Sequence, residues 1–102
     1  MKKIIIYAGL NDKVTKKQEI STLDAYKVAI NIFTARVGGA TISEAVGVYT
    51  HQDGEIVTEK TLRCEICSDD LEAVHRAALE LKNALNQESI MIETVRTDSH
   101  YI

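Results

Sequence analysis

The chain has no proline, two cysteines, one phenylalanine and no apolar stretch of membrane-spanning length. Each shortage excludes something. With no proline, no helix or strand is broken from within. Cys64 and Cys67 are too few for a disulfide framework. A bilayer span needs roughly 20 consecutive apolar residues, and no run approaches that. Met1-Lys2-Lys3-Ile4-Ile5-Ile6 looks superficially like a leader, but Asn11-Asp12-Lys13 follows with no small-residue cleavage site. The segment therefore reads as the first strand of a cytoplasmic protein. A basic excess is lacking too: the formal charge of −3 argues against general nucleic-acid binding.

What is present is ordinary for a globular chain. A hydrophobic fraction of 45% and a charged fraction of 26% over 102 residues predict one domain, 1–102, with a self-sufficient core.

Periodicity supplies the architecture. Lys2 to Leu10 is β-branched and aromatic, with Ile4, Ile6 and Ala8 pointing one way and Ile5, Tyr7 and Gly9 the other. Asn11 to Ile20 is polar and unpatterned, a loop. Ser21 and Asp24 then make a capping box, and Leu23, Tyr26, Ile30, Phe33 and Val37 step 3, 4, 3, 4 as one helical stripe ended by Gly38-Gly39.

Thr41 to His51 alternates again, with Ile42, Val46 and Val48 expected on the core side. Gln52-Asp53-Gly54 is the turn, and Glu55 to Cys67 returns with Ile56, Leu62, Cys64 and Ile66 facing the core. Thr58 and Lys60 interrupt that series, so the hairpin tip is expected to project past the helices. Asp69 or Asp70 caps a second helix carrying Leu71, Val74, Ala78, Leu81 and Leu85, and Asn86 can take a left-handed conformation at its end. Ser89 to Val95 is the last strand, and Arg96 to Ile102 a tail.

The order strand–helix–strand–strand–helix–strand predicts an α+β fold of ferredoxin-like βαββαβ type. It is a four-stranded antiparallel sheet with both helices on one face, built with right-handed crossovers.

Several short motifs fall in a familiar order: Tyr7-Ala8-Gly9-Leu10, Gly39-Ala40-Thr41, Asp53-Gly54-Glu55-Ile56-Val57-Thr58-Glu59, and Gln87-Glu88-Ser89-Ile90. Together they resemble a family of small bacterial and phage ferredoxin-like domains of unknown function. That family carries a Y-x-G-L start, a G-x-T strand, a D-G-x-x-x-E hairpin and a Q-E-S-[IV] lead into the last strand. The chain departs from it near Gly38-Gly39, where the family has phenylalanine or proline. The resemblance implies the fold and a small stand-alone domain, and it transfers no catalytic residue. In size and style alone the chain is similar to viral proteins that sequester nucleotide signals of bacterial defence.

Alternation places Tyr7, Tyr49, His51, Glu59, Arg63, Glu65, Met91 and Glu93 on the open face of the sheet. Tyrosines there can stack on a ring, and Arg63 can take a phosphate or carboxylate in bidentate fashion. The same face would equally serve as a solvated surface or as the buried face of a dimer. Lys13, Lys16 and Lys17 precede a helix N-terminus, where backbone N–H groups favour an anion. Cys64 and Cys67, three apart on a strand, face opposite sides and suit neither a metal nor a redox pair. His51 with Glu59 could act as an acid–base pair.

The residues favour a non-enzymatic binding protein, a homodimer or higher homo-oligomer with a pocket for a small anionic ligand such as a nucleotide, and a phage-type sequestering role is one version of it. The expected ligand-binding residues are Tyr7, Lys16, Lys17, Tyr49, His51, Glu59 and Arg63, with no cofactor, no metal and no membrane partner. The alternatives are a small dimeric α+β-barrel enzyme using a His/Glu acid–base, and a purely structural interaction module.

Overall fold

The computed structural model describes residues 1–50 and 53–102. Its elements are β1 (Lys2–Gly9), α1 (Thr22–Val37), β2 (Thr41–Thr50), β3 (Ile56–Ser68), α2 (Leu71–Ala84) and β4 (Met91–Arg96). The strands form one antiparallel sheet in the order β2-β3-β1-β4, with both helices against one face. The ferredoxin-like α+β arrangement read from the periodicities is the one observed.

Local chemistry sets the boundaries. The Ser21 hydroxyl accepts the Asp24 N–H at 3.1 Å and starts α1, and Gly38 ends it at φ 84°. The Asp70 carboxylate accepts the Ala73 N–H at 3.1 Å and starts α2, which leaves Asp69 without the capping role. Asn86 takes the left-handed turn after α2 at φ 49°, and Gly54 takes the hairpin turn at φ 86°.

The core joins Ile4, Ile6 and Ala8 of β1 and Leu62, Cys64 and Ile66 of β3 to the inner faces of both helices. On α2 the expected stripe stands, with Val74, Ala78, Leu81 and Leu85 buried, although Leu71 at its start is exposed. On α1 the stripe is rotated. Ala25, Ala29, Ile32 and Phe33 are buried, while Leu23 and Ile30 are 65% and 48% exposed. Ala25 and Ala29 carry the first half of the buried line and Ile32 and Phe33 continue it, so Leu23 and Ile30 are left flanking it.

The hairpin projects past the helices, as the break at Thr58 and Lys60 predicts, but it corrects the placement of its apolar residues. β1 pairs with β3 only from Thr61 to Ser68, so Val46–Thr50 and Ile56–Lys60 continue beyond it as a two-stranded arm. Five residues at roughly 3.4 Å each make the arm about 17 Å long. No helix lies over it, and Val46, Val48 and Ile56 are therefore exposed rather than in the core. The molecule measures 47 × 24 × 21 Å, as a projecting arm requires.

Phe33→Ala should destabilise the protein by about 3–5 kcal/mol, and Ile30→Ala by less than about 1 kcal/mol, in urea denaturation. Equal losses would return Ile30 to the core and contradict the rotated stripe.

Candidate functional site

The open face of the sheet holds two separate groups of polar side chains. The first lies over the middle of β1 and β3. Arg63 Nε–H donates to the Tyr7 hydroxyl at 3.4 Å, and the guanidinium lies 5.9 Å from the centre of the Tyr7 ring. Arg63 also pairs with the Glu65 carboxylate, which Lys3 approaches at 3.7 Å. The Tyr7 hydrogen bond and Glu65 hold Arg63 still more firmly protonated, and Arg63 holds Glu65 below the usual carboxylate range. Arg63 is thus engaged on two sides by its own sheet.

The second group sits at the base of the arm. Four residues along β3 from Arg63, at about 3.3 Å per residue or roughly 13 Å away, is Glu59. It also lies on the open face, opposite Gly47 of β2. One of its carboxylate oxygens accepts the Asn11 N–H at 3.1 Å. Beside it is a hollow of about 280 Å³ lined by Asn11, Asp12, Lys13, Lys16, Tyr49, Glu59, Gln87, Glu88 and Ser89. This runs into a wider basin of about 950 Å³ along the arm, which adds Asp53, Glu55, Ile56, Val57 and Thr58.

The walls are built from the loop after β1 and the turn after α2, locked to one another. The Asp12 carboxylate accepts the N–H groups of Val14 (2.8 Å) and Thr15 (3.1 Å) and the Asn86 side-chain amide (2.8 Å). Those three donors, Asn86 foremost, hold the Asp12 carboxyl below its ordinary range. Lys13 N–H donates back to the Asn86 carbonyl at 3.0 Å. Gln87, only 7% exposed, donates to the carbonyls of Asn11 (2.7 Å) and Leu85 (3.2 Å). Both non-glycine residues with positive φ in the described chain, Lys16 at 62° and Asn86 at 49°, are on these two segments. Unfavourable backbone is concentrated where the structure elsewhere over-determines it.

Of the expected ligand-binding residues, the structure brings Lys16, Tyr49 and Glu59 to one cleft. Tyr7 and Arg63 pair with one another outside it. Lys17 is exposed, and its carbonyl accepts the Asp12 N–H at 2.8 Å. His51 lies outside the described residues. The reading missed Asn11, Asp12, Asn86 and Gln87. Asn86 reads as the end of a helix and Gln87 to Ser89 as the lead into β4, and no periodicity signals that Asn86 and Gln87 meet a loop 74 and 76 positions earlier.

The sign of the cleft also differs from the expectation. Its walls carry Asp12, Asp53, Glu55, Glu59 and Glu88 against Lys13 and Lys16. Among the described residues no three His, Cys, Asp or Glu side chains gather as metal ligands. Burial pushes the Cys64 thiol up to about 12, which keeps it protonated and unreactive. No described helix is long and apolar enough to cross a membrane.

No protein-family model matches the chain, and no curated protein matches it at a significant level. Among solved structures it is similar to a phage SAM lyase in complex with S-methyl-5'-thioadenosine. That structure is 27% identical, with a TM-score of 0.71 over 91% of this chain and 78% of the other. A phage SAM lyase in its apo state is 22% identical, with a TM-score of 0.71 over 98% and 92%. The divalent ion tolerance protein CutA1 from Ehrlichia chaffeensis shares the fold at 19% identity, with a TM-score of 0.57 over 97% and 84%. The resemblance to small bacterial and phage domains therefore holds at the level of fold.

Asp12 gives a pH test of the wall. Its folded pKa is lowered, so its contribution is present above its unfolded value of about 3.9 and is lost as pH falls through the lower folded value. Hydrogen exchange at Val14 and Thr15, after correction for intrinsic rates, should stay slow from pH 7 to 4 and quicken below that. Asp12→Ala should make both amides fast at every pH.

Proposed function

We propose that this protein binds S-adenosylmethionine in the cleft at the base of the arm and acts as a SAM lyase, leaving S-methyl-5'-thioadenosine. The observation that carries the reading is the Glu59 carboxylate, fixed on the Asn11 N–H in a predominantly acidic cleft beside Tyr49. The likeness to a phage SAM lyase over 91% of the chain supports it.

The ligand's chemistry suits these walls. S-adenosylmethionine carries a sulfonium and an ammonium, and Glu59, Glu88, Asp53 and Glu55 offer charge of the opposite sign. The Tyr49 ring supplies a flat surface on which adenine can stack. Lys16 lines the same hollow as Glu59 and would pair with the substrate's carboxylate.

The reaction needs no water. The bond between sulfur and the γ-carbon breaks, and its electron pair returns to sulfur, giving neutral S-methyl-5'-thioadenosine. The γ-carbon takes its new bond from an oxygen of the substrate's own carboxylate, which closes a five-membered lactone. A cation and an anion become two neutral groups, so atoms, electrons and charge balance with no co-reactant. A step that annihilates charge is favoured where water is excluded. Glu59 holds the ammonium so that the carboxylate faces the γ-carbon, an orienting role that confers effective concentration rather than bond-making.

A homo-oligomer completes this reading. A lone two-stranded ribbon is marginally stable in water. The arm exposes Val46, Val48 and Ile56 at 68%, 65% and 70%, and a second copy laid on it would cover that stripe.

Two experiments test the proposal. Incubation with S-adenosylmethionine should yield S-methyl-5'-thioadenosine and a lactone by mass spectrometry, with kcat lowered roughly 100-fold or more in Glu59→Gln. Binding without product would make the protein a sequestering one, and neither binding nor product would overturn the site. In native mass spectrometry the wild type should be oligomeric, and Val48→Glu should shift it towards monomer.

A further inference from the structure

Glu59 is held in place partly by an atom that is missing. β1 and the first residues after it alternate, so Gly9 and Asn11 face the same side as Glu59. The Asn11 N–H binds one carboxylate oxygen at 3.1 Å. A β-carbon built on Gly9 would meet the two carboxylate oxygens at 2.4 and 2.6 Å and the carboxyl carbon at 2.5 Å. The carboxylate thus occupies the space that any other residue at position 9 would fill. Gly9 is not among the residues with positive φ, so no backbone conformation demands glycine there. What the position excludes is a side chain beneath Glu59.

The other glycine beside Glu59 differs in degree. A β-carbon on Gly47 would lie 3.6 Å from the Glu59 γ-carbon, an ordinary contact, and 3.1 Å from the Thr61 hydroxyl. Only the Gly9 side bears on the charged end.

Resting on the proposed role of Glu59, we propose that Gly9 is a positioning residue: the bare backbone there keeps the Glu59 carboxylate docked on the Asn11 N–H, and any side chain displaces it from the cleft while leaving the fold intact. The colliding atoms are the far end of a flexible side chain, which can swing into solvent, so displacement costs function rather than stability.

The test is Gly9→Ala in the full chain, read in three ways. Its thermal midpoint should stay within a few degrees of wild type, and a chain that fails to fold makes the role structural and overturns the proposal. The Asn11 amide proton should move upfield in the NMR spectrum as it loses its carboxylate acceptor, and an unmoved amide overturns the docking. Finally, kcat should fall at least tenfold, with the dissociation constant for S-methyl-5'-thioadenosine changed less than threefold. The same substitution in a Glu59→Gln background should add less than a twofold further loss. Full additivity would show that Gly9 acts through some other group and would overturn the inference. The amide shift is read without turnover, so a wild type that cleaves nothing sinks the lyase reading while the coupling of Gly9 to Glu59 is still decided.

Discussion

The register of β1 against β3 is the constraint on which the site depends. β1 is paired on both sides, its residues Ile4, Ile6 and Ala8 are locked under the helices, and Leu10 is buried just past its end. Leu10 N–H donates to the Lys60 carbonyl at 2.9 Å, so the chain leaves the sheet at a fixed point. The next amide, that of Asn11, then meets Glu59. A slip of one residue would turn one strand over against the other, sending either Glu59 to the helix side or Leu10 into solvent. The core therefore enforces the geometry of a polar cleft that it does not touch.

Much of the fold was legible because period two and period 3.6 are strong signals in a chain without proline. The two misreadings share a cause. For α1, the larger apolar residues were given the buried line, but Ala25 and Ala29 carry it, and alanine is weakly informative on either face. For β2, alternation placed Val46 and Val48 on the helix side of the sheet, which is correct. The break at Thr58 and Lys60 marks where β3 leaves the helix layer, but Val46 and Val48 on β2 carry no such break, and β3 outruns β1 by the five residues from Ile56 to Lys60. Alternation specifies a face; burial depends on what covers it.

The candidate site was legible in proportion to how far strands alone determine it. Tyr49 and Glu59 were placed on the right face by parity. Tyr7 and Arg63 share that face, yet they form a closed pair with Glu65, because ion pairing is decided by side-chain reach and not by face. The hydrogen bonds that lock the walls together are not legible in the sequence. Asn11 and Gln87 are joined by a hydrogen bond across 76 positions, and Asp12 and Asn86 by one across 74. Loop-to-loop contacts of that kind carry no periodicity, and short polar residues in a turn look alike whether they bind a ligand or water.

The same limit explains the sign of the cleft. Lys13, Lys16 and Lys17 are neighbours in sequence and suggest an anion, whereas the carboxylates of the cleft come from four separate segments and assemble only in the fold. An acidic wall brings its own difficulty for the proposed reaction, which starts from a sulfonium. Charge that held the substrate as firmly before bond breaking as during it would tighten binding without raising the rate, and after bond breaking the sulfur is neutral and the attraction gone. Such a wall favours capture of substrate and release of product. On the proposed reading the acceleration comes instead from a group that fixes the conformation of the amino-acid arm. In this cleft Asp12 and Asp53 are tied to amides of their own turns, whereas Glu59 reaches across to the Asn11 amide, and the orientation of that one side chain is set by this amide and by the absence of a β-carbon at Gly9.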